Sequence, residues 1–203
     1  MSRRIPRQSV RLQDRDYELL EHLMRYRVTT RDVLHRLFFS DSEPNAVLKV
    51  TSRLTDSEYL ARHPLVGTNV YFTLGIKGTR VFGIAAKHSQ PLGLQSLFIQ
   101  MGMLEYCCRE KTNRKRLRVS EIQEDHPGLL QRGLESSNYV VDADAAESVL
   151  QFVRIDGGGT ADHVLRKLHQ DLSDRQKNPL CNALIQRNRF RLVCVTYSQD
   201  KAK

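Results

Sequence analysis

Four side chains in one short segment of the chain can donate hydrogen bonds to a polyanion. They are Asn45, Lys49, Ser52 and Arg53. Lysine and arginine pair with phosphates or with the acceptor edge of guanine, whereas asparagine and serine donate to base edges or to the sugar-phosphate backbone. Residues of these types, grouped in this way, predict contacts with double-stranded DNA.

Apolar residues share the same segment at helical spacing and define its opposite face. They are Ala46, Val47, Val50 and Leu54. A shorter helix is predicted before it, from Arg31 to about Phe38, with Thr30 as the N-cap and Pro44 in the first turn of the next helix. This pattern predicts a helix-turn-helix whose second helix, from about Asn45, enters the major groove. Thr30 and Arg31 are further candidate DNA contacts.

The segments on either side extend this motif toward a winged helix. A helix is predicted over residues 14–27, with Asp14 as its N-cap and with Tyr17, Leu20, Leu23 and Met24 on its buried stripe. Tyr59 and Leu60 are predicted to close the third helix, which Pro64 cannot continue. A β-hairpin is predicted around Gly67, because Val70, Phe72 and Leu74 alternate after a turn-forming run. Its tip, Thr68 and Asn69, is a candidate contact with the DNA backbone or minor groove. The alternative for this region is a small helical domain that binds another protein.

Composition limits the classes of protein that the chain can belong to. Its 203 residues carry a formal net charge of +9 with a pI near 9.6, which suits a polyanionic partner. We find no apolar run of about 18 residues and no apolar segment after the basic start, so we expect neither a membrane span nor a secretory signal. None of the four cysteines has Cys-x-x-Cys spacing, which indicates reduced thiols in a cytoplasmic protein.

The chain divides into four predicted parts. Residues 1–12 form a basic tail that is either solvated or lies along DNA, and residues 13–86 form the winged helix. Residues 87–110 form a connecting or dimerisation helix, and residues 111–203 form a small α/β sheet domain. The basic run REKTNRKRLR at 109–118 is either a second phosphate-binding patch or a solvated helix end. Leu117, Val119 and Ile122 are predicted to start a strand.

This arrangement resembles the replication-relaxation family of plasmids and related mobile elements. The resemblance lies in DRDYELLEHLMRYRVTTRDVLHRLFF, VTSRLTDSEYLARHP with VYFTLGIKGTRVF, Val141-Asp142-Ala143, and VRIDGGGTADHVLRKLHQDL. It implies an α+β protein with an N-terminal winged helix and a C-terminal α/β domain. We expect a DNA-binding homodimer, without a cofactor, that acts in transcription control or assists replication or transfer of a mobile element.

The C-terminal layout also resembles the PD-(D/E)xK nuclease fold. Such enzymes hold a divalent cation with clustered carboxylates and place a lysine near the scissile phosphate. Asp142 matches the first aspartate of this motif. The next strand has Arg154-Ile155-Asp156, with arginine where an acid is expected, and Lys167 lies a helix away, so it does not restore the acid-x-lysine spacing. We therefore expect a nuclease-like scaffold without cleavage activity; the alternatives are a nuclease using Asp142 and Asp156, and a protein-binding adaptor.

Gly157-Gly158-Gly159 is interpreted as a strand-to-helix turn, since a P-loop lysine is missing.

Overall fold

The computed structural model describes residues 11–109, 112–130, 134, 138–143 and 148–198. The chain forms two compact units, the first ending at Gly93 and the second beginning at Leu94. Both units combine helices with a small β-sheet, so the protein has a mixed α+β architecture, as the sequence predicts. The predicted basic tail lies mostly outside the described residues. No helix within the described ranges is long and apolar enough to cross a membrane.

The first unit follows the predicted order of three helices and a hairpin. Its elements are α1 (Asp14–Tyr26), α2 (Arg31–Phe38), α3 (Pro44–Asp56), β1 (Leu60–Pro64), β2 (Val70–Leu74) and α4 (Ile76–Val81), followed by a 3₁₀ turn at Ala86–Ser89. The expectation that Tyr59 and Leu60 close the third helix was wrong, because α3 ends at Asp56 and Leu60 begins β1. The carbonyl of Leu54 instead accepts the backbone N–H of Tyr59, in the turn that leads into the hairpin.

Local signals explain where these helices begin. The Thr30 hydroxyl accepts the backbone N–H of Val33 at 3.3 Å, so Thr30 is the N-cap of α2 as predicted. The N-cap of α1 is Gln13 rather than Asp14, and the Asp16 carboxylate accepts the Gln13 N–H at 2.9 Å.

The core of the first unit joins α1, α2 and α3 to the hairpin. Its fully buried members are Leu19, Leu20, Leu23, Leu34, Phe39, Val47, Leu54, Leu60, Phe72 and Leu74. The loop between α1 and α2 is tied to the hairpin, because Thr29 and Phe72 exchange two backbone hydrogen bonds of 3.0 and 2.9 Å. The hairpin is therefore fixed to the helical part of the unit, and its position relative to α3 is set by packing and by backbone pairing.

His22 is buried in the first unit, and its burial predicts that this unit loses stability in acid. Its Nε2 lies 3.1 Å from the Thr29 hydroxyl, and burial, reinforced by the nearby charge of Arg25, lowers the pKa of His22 to about 4. Between pH 6.5 and about 4 the unfolded chain binds a proton that the folded chain does not, so stability falls as the pH falls through this window. We expect a loss of up to about 3 kcal/mol, measured by urea unfolding at several pH values, and a much flatter profile for His22→Gln.

The second unit places helices around a four-stranded sheet. Its elements are α5 (Leu94–Cys108), β3 (Arg114–Arg116), α6 (Val119–Asp125), a 3₁₀ turn (Pro127–Leu130), β4 (Tyr139–Asp142), β5 (Val149–Ile155), α7 (Ala161–Gln176), α8 (Pro179–Gln186) and β6 (Phe190–Val195). The strand order is β3-β4-β5-β6; β3, β4 and β5 pair antiparallel, and β5 and β6 pair parallel. Tyr139, Leu150 and Phe152 contribute to its core.

Two sequence expectations change in this unit. Val119 and Ile122 were expected in a strand but lie in α6, because the Glu121 carboxylate accepts the N–H of Arg118 at 2.8 Å and caps the helix. The helix predicted within 87–110 as a connector is α5, and it belongs to the second unit, where Gly102 packs against Ile155 of β5.

Candidate functional site

The exposed face of α3 carries most of the predicted donors. Asn45, Lys49 and Ser52 are all exposed, and they recur at the spacing of successive helical turns. On the other side of the helix Val47, Thr51 and Leu54 are buried, so α3 is anchored along one face and open along the other. The division of faces predicted from the sequence therefore holds for three of the four donors.

Arg53 is the exception, because its guanidinium is held within the fold. Its Nη2 donates to the Asp16 carboxylate of α1 at 2.5 Å, and only 2% of the Asp16 side chain is exposed against 32% of Arg53. Arg53 thus links α3 to α1 instead of extending from the exposed face. Arg53 follows Lys49 by one helical turn, so the sequence alone does not distinguish these two cations. The difference arises from Asp16, which lies far from Arg53 in the sequence.

Leu48 also lies on the exposed face of α3, although it is not among the residues predicted from the sequence. Its side chain is 42% exposed, three residues after Asn45 and four before Ser52. Helical spacing alone places it beside these donors and could have identified it. An exposed leucine between polar donors gives this face an apolar contact point as well as hydrogen-bonding groups.

The start of α2 contributes Thr30 and Arg31. The Thr30 hydroxyl accepts the capping bond described above, and it retains its own hydrogen for donation. The Arg31 guanidinium lies over the Phe72 ring, with its central carbon 5.9 Å from the ring centroid. Arg31 thereby lies between the start of α2 and the hairpin, close to the C-terminal half of α3.

The hairpin tip exposes both predicted residues, Thr68 and Asn69. The Asn69 N–H donates to the Val66 carbonyl at 3.1 Å, and Gly67 has a φ of +62°, which favours glycine at this turn position. Val66 is 76% exposed at the same tip. The turn therefore presents two small polar side chains and one apolar side chain at the end of a fixed hairpin.

In the second unit, two other side chains of the protein bind the carboxylate of Asp142. Its Oδ2 accepts Nε of Arg114 at 3.2 Å and the side-chain amide of Gln151 at 2.9 Å. Burial raises the pKa of Tyr106, so its hydroxyl stays protonated and donates to Oε1 of Gln151 at 2.6 Å. Asp142 is thus bound by the cation of Arg114 from β3 and the side-chain amide of Gln151 from β5.

Asp156 cannot share a cation with Asp142. Asp142 pairs with Val149 at one end of β5, and Asp156 follows Ile155 at the other end. Seven residues of strand separate the two positions by about 20 Å, whereas the ligands of one cation lie within a few ångströms of it. The Asp156 oxygens accept the N–H of Gly158 and the hydroxyl of Thr196, each at 3.0 Å. No group of three or more His, Cys, Asp or Glu within the described ranges could hold a metal ion.

Other basic residues of the second unit form contacts within it. Arg154 donates to Asp171 through two nitrogens, and Lys167 of α7 lines the same cavity as Arg154 and Asp156. In the basic run, Lys115 pairs with Glu121 at 2.9 Å. The glycine run forms the strand-to-helix turn that was predicted, with φ values of +108° at Gly158 and +124° at Gly159.

Comparisons with known proteins give no match for this chain. No protein-family model, curated protein or solved structure matches it significantly. The resemblance to the replication-relaxation family therefore stays a prediction.

Proposed function

We propose that the first unit is a winged helix that binds double-stranded DNA, with α3 in the major groove and the hairpin tip against the adjoining backbone or minor groove. The observation that carries this proposal is the two-faced packing of α3. One face lies in the core with Val47 and Leu54, while the other exposes Asn45 and Lys49. A helix anchored in this way offers a fixed row of side chains to a groove that is wide enough to admit it.

The side chains of this row suggest how each would contact a duplex. Asn45 has the donor and acceptor needed for a bidentate contact with adenine, and Leu48 would pack on the methyl group of thymine. Lys49 would bind a phosphate or the acceptor edge of guanine, and Ser52 either a base edge or the backbone. Thr68 and Asn69 at the hairpin tip, together with Thr30 and Arg31, would position the unit on the backbone.

The remaining parts of the proposal concern the second unit and the biological role. We propose that the second unit supplies a homodimer contact or a partner surface on a nuclease-like scaffold that does not cleave DNA. The binding of Asp142 by Arg114 and Gln151 supports the absence of cleavage, because both groups bind Oδ2 of its carboxylate. The role would be transcription control, or assistance to replication or transfer of a mobile element.

Replacement of Lys49 by alanine tests the placement of α3. We expect Lys49→Ala to weaken binding of a selected duplex by about tenfold, corresponding to the loss of one contact of about 1–2 kcal/mol. Fragments selected from random DNA supply the duplex, and fluorescence anisotropy measures the affinity. Lys87→Ala is the matched control, because Lys87 is also an exposed lysine of the first unit but lies outside α3 and the hairpin. Equal affinities of Lys49→Ala and the wild type would remove α3 from the interface.

The same duplex separates the two alternatives. A protein-binding adaptor would show no salt-dependent affinity for it. A metal-dependent nuclease would cut it in the presence of Mg²⁺ or Mn²⁺, and the cleavage would disappear in Asp142→Ala. We expect the duplex to be bound and to remain uncut.

A further inference from the structure

A small cleft lies between the C-terminal half of α3 and the hairpin. Its volume is about 180 Å³, and its lining includes Arg31, Ser52, Asp56, Arg62 and Phe72. Two arginines and one carboxylate leave a net positive charge in the lining. The charge of the lining therefore favours binding of a small anion.

Arg31 is the more enclosed of the two arginines. Its guanidinium is held over the Phe72 ring, and its Nε is inaccessible to solvent and has no hydrogen-bond partner within the described ranges. A buried donor without an acceptor is unfavourable, and few such atoms occur in folded proteins. The Nε atom is itself out of reach of an anion in the cleft, but Arg31 borders the cleft, so the outer nitrogens of its guanidinium would bind the anion's oxygens.

Arg62 completes the cleft from the strand side. It is exposed on β1, opposite Phe72 in the hairpin register, and forms no ion pair with any residue that the structure describes. Asp56, at the end of α3, is exposed and is likewise without an ion pair in the described part of the chain. Neither arginine is neutralised by this carboxylate through direct contact, so both guanidinium groups remain able to bind an anion.

We propose that this cleft binds one phosphate of the duplex backbone through Arg31 and Arg62. The inference rests on the proposed function, because it takes α3 to lie in the major groove. Ser52 belongs both to the exposed face of α3 and to the cleft lining. A helix in the major groove lies between two phosphate backbones, so a pocket that adjoins its exposed face is placed to receive one of their phosphates.

Salt dependence of duplex binding tests the site. Each phosphate contact that is lost reduces the slope of log K against log salt concentration by about 1. Because both arginines are proposed to hold the same phosphate, we expect a reduction of up to about 1 in Arg62→Ala and in Arg31→Ala, with affinity falling several-fold at low salt. Asp56→Asn should bind more tightly, because it removes the one negative charge of the lining. Arg80→Ala is the matched control, since Arg80 is an exposed arginine of the same unit outside the cleft.

The outcomes distinguish this site from the wider proposal. Arg62 is exposed, so Arg62→Ala is expected to keep the fold, and thermal unfolding checks both arginine variants. If the wild type binds the duplex and Lys49→Ala weakens binding, but both arginine variants keep the wild-type slope, the phosphate site is wrong while the proposed function stands. If the intact protein does not bind duplex DNA at all, both are wrong. Reduced slopes in both arginine variants and tighter binding by Asp56→Asn would support the site.

Discussion

Replacement of Gly78 by alanine is expected to destabilise the first unit by about 3 kcal/mol, near the upper end for overpacking of a tightly packed site. Gly78 is buried in α4, and a Cβ added to it would overlap the backbone carbonyl oxygen of Tyr59 and lie 3.2 Å from the Leu74 side chain. A backbone carbonyl cannot rotate away as a side chain can. Relief of the overlap therefore requires α4 to move away from the segment that joins α3 to β1.

We expect Gly78→Ala to lower the stability of the unit, whereas helix propensity alone would predict a gain. Within a helix, alanine is favoured over glycine by about 1 kcal/mol, so α4 by itself would gain from the substitution. The close approach of Tyr59 reverses this effect. Because Tyr59 links α3 to the hairpin, a shift there would also disturb the surface proposed to bind DNA.

Thermal and urea unfolding would measure the effect of Gly78→Ala. For a unit of this size we expect the midpoint temperature to fall by more than about 10 °C. Gly93→Ala is the control, because a Cβ at Gly93 meets no atom within 4 Å. We expect that variant to unfold like the wild type or slightly later. Similar unfolding of Gly78→Ala and Gly93→Ala would contradict the packing described for α4.

Replacement of Arg53 by alanine is expected to cost about 3 kcal/mol, because it leaves a buried carboxylate without its cation. Asp16 is almost completely buried and accepts both the Arg53 guanidinium and the Gln13 N–H. Since the Arg53 side chain is partly exposed, water would compensate for some of the lost interaction. The loss should weaken the contact between α1 and α3 and lower the stability of the first unit.

Two further variants check this interpretation. Lys77→Ala removes a cation from an exposed pair with Glu58, and we expect it to cost less than about 1 kcal/mol. Simultaneous Asp16→Leu and Arg53→Met should be less harmful than Arg53→Ala, because no unpaired charge remains buried. If this double variant is folded, it should bind the duplex with nearly wild-type affinity. A large loss of affinity in the folded double variant would instead identify Arg53 as a direct DNA contact.

The fold of the first unit was largely predictable because its signals are local. The N-cap at Thr30, Pro44 at the start of α3 and the alternation of Val70, Phe72 and Leu74 each depend on neighbours in sequence. Such signals give the type and order of the elements. They gave the wrong element for Val119 and Ile122, although two apolar residues three apart share a face in a helix and not in a strand.

The candidate site was less predictable, because its residues depend on distant partners. Lys49 and Arg53 lie one helical turn apart and look equivalent in sequence, but only Arg53 meets a buried carboxylate. Arg62 was not selected, because nothing near it in the sequence indicates that the hairpin register places it opposite Phe72, beside Arg31.

By itself the sequence determined the basic charge, the order of helices and strands in the first unit and the amphipathic character of α3. These properties depend on composition and on spacing along the chain. Only the tertiary structure decided which cations are bound within the protein, that Asp142 and Asp156 lie at opposite ends of a strand, and that a cleft adjoins α3. The physical reason is that charge pairing and cavity shape depend on distances between atoms. Only folding of the chain brings residues that are far apart in the sequence to within a few ångströms of each other.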